Sequence, residues 1–183
     1  QIQLVVYMEA AMETEQRKRA EKTVIPAGIF YYNIKDPVIE ETEEMGEEQI
    51  ERELLSKLKM NGLVNRASEV IALLDSSMDK HSDVIPISYN KDGSLSKNSS
   101  AVDTRQFEAV SAYVRNRIRQ MGAEILDGNT QISPYRKGTE TGCDYCEFRE
   151  VCGFDEKSTG YEYRRLHEMD NEDILQKMQK EVE

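Results

Sequence analysis

Apolar positions in this chain fall into a few periodic runs separated by polar stretches. Residues 1 to about 20 favour a helix, and Ile2, Leu4, Val5, Val6, Met8, Ala11 and Met12 crowd its first half. First turns that are apolar on most sides suit a helix buried in a larger body. The second half turns polar and ends in Arg17-Lys18-Arg19, whose charges complement the negative end of a helix dipole. Val24 to Ile34 reads as a strand, punctuated at its start by Pro26 and Gly28 and ended by Asp36-Pro37. Its run Ile29-Phe30-Tyr31-Tyr32-Asn33-Ile34 has the aromatic and β-branched content of a sheet. The acidic residues 40 to 48 read as a solvated loop and helix start.

A helix follows from about Glu47 to Met60, with Ile50, Leu54, Leu55 and Leu58 on one stripe and Asn61-Gly62 as its stop. A shorter helix from about Asn65 to Asp75 carries Val70, Ile71 and Leu74. Val84 to Tyr89 reads as a strand, and Asn90-Lys91-Asp92-Gly93 as a tight turn that tolerates positive φ. The clearest element is a helix from about Thr104 to Leu126. Asp103 is its N-cap, with Gln106 placed to complete a capping box. Phe107, Val110, Val114, Ile118, Met121 and Ile125 form one continuous apolar stripe, and Gly128 ends the helix. Ile132-Ser133-Pro134-Tyr135 is extended. Beyond Phe154, Tyr161, Tyr163 and Leu166 pack back on the body, and a terminal helix from about Asn171 presents Ile174, Leu175 and Met178. The whole is an α/β (α+β) chain, rich in helix.

Composition adjusts this picture modestly. Of 183 residues, 38% are hydrophobic and 32% charged, which supports a core on the polar side of the globular range. The formal net charge of −11 gives the surface as a whole no nucleic-acid-binding character. A local basic strip remains open: Arg115, Arg117 and Arg119 lie off the apolar stripe, either as a solvated face or as phosphate contacts. No apolar run has the length of a membrane span, so no membrane association is expected. The opening residues show no basic leader and no start methionine, which suggests a piece beginning inside an element.

All three cysteines lie in Cys143-Asp-Tyr-Cys146-Glu-Phe-Arg-Glu-Val-Cys152, a C-x2-C-x5-C spacing. An odd count argues against paired disulfides and fits a reducing cytoplasm. Thiolates at this spacing can converge on one metal centre, but structural zinc and iron–sulfur clusters normally take four protein ligands. Three readings stay open: unligated thiols, zinc, and an iron–sulfur cluster. For zinc the other soft ligands are His81 and His167, neither at motif spacing. With no histidine in the stretch itself, iron–sulfur is favoured.

A second motif is Gln3-Leu4-Val5-Val6-Tyr7, a Q-x3-Y on a helix whose two polar residues share a face. Taken in order, the motif helix, the strand Pro26-Ala27-Gly28-Ile29-Phe30-Tyr31-Tyr32, the segment Ile132-Ser133-Pro134-Tyr135 and the cysteine stretch resemble a known family. They look like the C-terminal nuclease domain of AddB/RexB-type subunits of bacterial ATP-dependent helicase–nucleases. That family belongs to the RecB-like PD-(D/E)XK nucleases.

The resemblance implies a partial PD-(D/E)XK fold with a small mixed sheet. It assigns 1–155 to the nuclease domain and 156–183 to a C-terminal extension. It implies Mg²⁺-dependent DNA cleavage by the intact subunit, a heterodimer with an AddA-type helicase–nuclease subunit, and a bacterial cytoplasmic location. Gln3 and Tyr7 become accessory catalytic residues, and Cys143, Cys146 and Cys152 three ligands of a structural [4Fe-4S] cluster. The Mg²⁺ carboxylates, their lysine and a fourth cysteine would lie before Gln1. Charged runs such as Glu51-Arg52-Glu53 sit on amphipathic helix and read as surface. The expectation is that this chain alone neither cleaves DNA nor holds a stable cluster. The rival classes are a zinc-stapled interaction module and a helical scaffold with idle thiols.

Overall fold

The computed structural model describes residues 2–32, 34 and 46–182. It divides into two compact units, Gln1–Val114 with Met178–Glu183, and Arg115–Lys177. The acidic run expected at 40 to 48 lies largely outside the described residues.

The first unit is built on a three-stranded mixed sheet of order β1-β2-β3. Helix α1 (Ile2–Lys18) precedes β1 (Gly28–Tyr31); α2 (Glu47–Lys57) leads to β2 (Asn61–Asn65); α3 (Ser68–Leu74) follows, then β3 (Ala101–Val102) and the start of α4 (Thr104–Leu126). β1 and β2 are antiparallel, pairing Gly28 with Val64 and Tyr31 with Asn61. β2 and β3 are parallel, pairing Val64 with Ala101. Val64, Ile71, Ile85 and Ile87 form the core, against which Phe30, Met60, Leu74 and Tyr89 pack.

Several sequence expectations change here. Asn61-Gly62 does not stop a helix; it opens β2, and α2 has already ended at Lys57. Gly62 is needed because β1 approaches too closely for a side chain: a Cβ would sit 1.9 Å from the Ile29 carbonyl oxygen, at φ +150°. Asn65 belongs to the strand rather than to α3, and it is buried. Its Nδ2 donates to the Pro26 carbonyl (2.9 Å) and to Thr104 Oγ1 (3.1 Å), while its Oδ1 accepts from the Ala67 amide (3.1 Å). A single amide thus ties the β2 end to the β1 approach, the α3 start and the α4 start.

Val84–Tyr89 is not a strand, although Ile85 and Ile87 are buried as a strand's inner residues would be. Its backbone groups are satisfied piecemeal, by the Ser82 and Ser99 hydroxyls and by scattered backbone partners, rather than by a ladder. Ser82 Oγ accepts from the amides of Val84 and Ile85 and donates to Asp75 Oδ2 at 2.7 Å. The Pro86 carbonyl accepts from Ser100, and Ile87 N–H turns back to Ile85. Pairing is reduced to isolated bridges, His81 with Ser88 and Tyr89 with Leu95. The Asn90–Gly93 turn forms as expected, with Gly93 at φ +81°.

α1 is less enclosed than its apolar first turns suggest. Only Val5 is buried, and Ile2, Val6 and Tyr7 are exposed. The stripe on α4 is likewise covered only in part. Phe107, Val110 and Val114 are buried, but Met121 is 45% and Ile125 77% exposed. The capping box at its start is present, with Asp103 N–H donating to Gln106 Oε1 and Gln106 N–H to Asp103 Oδ1, both at 2.8 Å. Gly128, at φ +70°, ends it.

The second unit carries a smaller three-stranded sheet of order β5-β4-β6. Its strands are β4 (Tyr135–Lys137), β5 (Glu140–Thr141) and β6 (Arg164–Arg165), joined by the short helix α5 (Arg149–Cys152) and followed by α6 (Asn171–Lys180). Tyr161 and Tyr163 pack as expected, both against Phe154, with ring centroids 5.5 Å and 4.8 Å away. Leu166 remains 44% exposed. Among the described residues no helix is long and apolar enough to cross a membrane.

Candidate functional site

The motif helix places its two polar residues in direct contact. One turn apart on α1, Gln3 Nε2 donates to Tyr7 Oη at 2.7 Å. Both side chains are exposed. Tyr7 keeps its own hydroxyl proton to donate, and Gln3 keeps its amide oxygen to accept. Such a pair can hold a phosphate oxygen or a water in place. It contains no carboxylate and no imidazole.

The cysteine stretch forms one loop in the second unit. β5 enters it and α5 closes it, with Gly153 in the left-handed region at φ +69° turning the chain out. Cys143 and Cys152 are half-buried and Cys146 is exposed; all three are free thiols. The spacing brings them into one loop but not into one coordination sphere. Among the described residues, no three His, Cys, Asp or Glu side chains stand together as a metal site. The aromatic residues between them shield nothing, since Tyr145 is fully exposed and Phe148 is 69% exposed.

Asp144, the carboxylate nearest in sequence, is already committed. It accepts from the Thr141 amide (2.8 Å) and the Thr141 hydroxyl (2.7 Å), and these bonds hold its carboxyl below the usual range. The same hydroxyl accepts from the Cys143 amide at 3.2 Å. The donor set is therefore three free thiols, the kind of ligand that iron–sulfur and zinc sites use.

The basic positions on α4 do not form one strip. Successive odd positions are about 200° apart on a helix, so Arg115 and Arg119 share a face that Arg117 does not. Arg117 donates to Gln120 at 2.9 Å and Arg119 to Asn116 at 3.4 Å.

One grouping escaped the sequence reading. Arg136 on β4 makes a bidentate ion pair with Glu156, at 3.1 Å and 3.0 Å. Its guanidinium carbon lies 4.0 Å from the centre of the Tyr163 ring, and Arg165 reaches the same Glu156 at 3.8 Å. No local spacing announces contacts twenty residues apart; only the parallel pairing of β4 with β6 creates them.

A family model for the PD-(D/E)XK nuclease superfamily matches residues 1–153, from α1 through the cysteine loop. The chain belongs to that superfamily. Within it, the chain is similar along its whole length to proteins named as one subunit of an ATP-dependent helicase/deoxyribonuclease. Identity is 39% over 184 residues with that of Clostridium kluyveri, 38% over 183 with that of Alkaliphilus oremlandii and 36% over 182 with that of a Thermoanaerobacter strain. Each match takes in 100% of this chain and 16% of the relative, so the chain spans about a sixth of the length of the curated relatives it matches.

Proposed function

We propose that the chain is part of the DNA-cleaving domain of an ATP-dependent helicase–deoxyribonuclease subunit that works with a second subunit on broken DNA ends in the bacterial cytoplasm. One observation carries this reading. A nuclease superfamily match over residues 1–153 coincides with similarity over the whole chain to deoxyribonuclease subunits. Magnesium, when bound in such a domain, supplies a Lewis acid and a water of lowered pKa. Its carboxylates and lysine are assigned to the rest of a longer polypeptide, because the relatives extend far beyond the matched portion. The residues of this chain then have positioning roles. Gln3 holds a substrate phosphate oxygen or the attacking water through its amide, and Tyr7 fixes that amide and adds a hydroxyl donor. Arg115 and Arg119, which share a face of α4, and Arg117 on another face would contact the DNA backbone.

Cys143, Cys146 and Cys152 would supply three thiolates to a structural [4Fe-4S] cluster, with a fourth from outside the chain. The test is the full-length protein with its partner, assayed on linear DNA. Mg²⁺-dependent hydrolysis that EDTA abolishes is expected, and an assembly that leaves DNA intact in Mg²⁺ would overturn the reading. Metal analysis of the same protein, isolated anaerobically, should give about four irons per copy of this chain. Zinc at about one per copy would instead favour a zinc-stapled interaction module.

A further inference from the structure

We infer that Arg136, Glu156 and Tyr163 form a clamp that closes the base of the cysteine loop without metal and positions Cys143 and Cys152 for a thiolate-bound metal. The inference rests on the metal reading of the cysteines only in its second half.

The cysteine loop leaves the small sheet after Thr141, and the chain rejoins it at Arg164. Its two ends are joined by three independent kinds of contact. The first is backbone pairing: the Gly142 amide donates to the Tyr135 carbonyl (3.0 Å), Arg164 to Pro134 (2.9 Å) and Leu166 to Arg136 (2.8 Å). The second is the Arg136–Glu156 ion pair, which spans twenty residues and straddles all three cysteines. The third is an aromatic stack. Phe154, two residues after Cys152, meets Tyr163 edge-on at 4.8 Å, and Tyr163 carries the Arg136 guanidinium on its face at 4.0 Å.

An ion pair on an open surface contributes little by itself. This one differs in geometry. Arg136 and Glu156 side chains are 31% and 41% exposed, the fork is bidentate, and the guanidinium carbon lies 4.0 Å from the centre of the Tyr163 ring. Arg165, in register with Arg136 across β4 and β6, reaches the same carboxylate from the neighbouring strand. A loop whose ends are held together in this way has already lost most of the closure entropy that metal binding would otherwise oppose. Within the loop, Thr141 and Asp144 fix the Cys143 amide, so the first thiol also starts from a defined backbone.

The experiment uses the chain as it stands, reduced, with two readouts. In metal-free buffer with chelator, amide exchange is followed at Gly142, Arg164 and Leu166, with the Ile71 amide of the first unit as a folding control. Arg136→Ala should lower protection at those three amides by about tenfold while Ile71 is unchanged. Retained protection overturns the clamp. Glu156→Gln, which keeps size and leaves the aromatic stack in place, should act in the same direction. It guards against a general failure of Arg136→Ala to fold.

The second readout is anaerobic titration with Co²⁺, followed by thiolate-to-cobalt absorption, with Cys146→Ser as the ligand control. Arg136→Ala should weaken Co²⁺ binding about 10- to 100-fold with an unchanged spectrum at saturation. Arg136→Lys, which keeps the charge but not the planar fork, should fall between the two. Wild-type affinity in Arg136→Ala overturns the positioning role. If the wild-type chain gives no thiolate-to-cobalt absorption, the positioning role fails for this chain, and the cluster reading is decided by the iron analysis of the full-length protein, which supplies the fourth ligand. The amide exchange then still decides whether the clamp exists.

Discussion

Single residues fix several of the junctions in the first unit, and each can be tested alone. Asp75 is buried and accepts from the Ser82 and Ser77 hydroxyls at 2.7 Å and 2.8 Å. The Ser82 bond, then that of Ser77, holds its carboxyl below the ordinary value. The folded state therefore binds this proton less readily than the unfolded chain. Its stabilisation is full above the unfolded carboxylate value of about 3.9 and is lost as pH falls through the lower folded value. Denaturant midpoints measured from pH 7 downward should fall more steeply in wild type than in Asp75→Asn, whose neutral amide does not titrate. Parallel curves would show that the carboxylate is not linked to folding. Gly62→Ala makes a different point. Its Cβ has no space beside the Ile29 carbonyl, so urea denaturation should show a loss of about 2–3 kcal/mol.

At the scale of elements, α4 separates what periodicity states from what packing uses. Its apolar stripe runs the full helix, yet the buried positions end at Val114. Phe107→Ala should cost about 3–5 kcal/mol. Ile125→Gln should change the stability of this chain by no more than about 0.5 kcal/mol. Equal effects in a denaturant titration would contradict the burial pattern. The capping box is more modest, and Asp103→Ala should cost about 1 kcal/mol. That box, the α4 span and the glycine at its end were legible in the sequence because they depend on neighbours three or four residues away. The segment Val84–Tyr89 was not legible as it is. Its alternation of buried residues looks like a strand, but the Ser82 hydroxyl, itself held by Asp75, takes the Val84 and Ile85 amides that a neighbouring strand would otherwise pair.

For the molecule as a whole, the candidate chemistry is distributed. The Gln3–Tyr7 pair belongs to the first unit and the three thiols to the second. Among the described residues, no three His, Cys, Asp or Glu side chains stand together in either unit. The purified chain should leave linear DNA uncut in Mg²⁺, and Mg²⁺-dependent cleavage abolished by changing one of its own acidic residues would refute that. In the full-length protein, Gln3→Ala and Tyr7→Phe should each lower the cleavage rate about tenfold, roughly 1.4 kcal/mol in the barrier. An unchanged rate in both would remove the pair from the reaction.

The sequence by itself determined the longer helices α1, α2, α4 and α6 to within a turn, the cap, the turn at Asn90–Gly93, the Q-x3-Y pair and the clustering of every thiol in one stretch. All of these are set within a turn or a short loop, where spacing and propensity act directly. Tertiary structure alone decided that Asn65 joins three elements, that Gly62 lies under a strand, and that Arg136 meets Glu156 and Tyr163 across the cysteine loop. Those contacts bring together residues about twenty to forty positions apart. Their partners are chosen by sheet pairing and core packing, which no local pattern encodes.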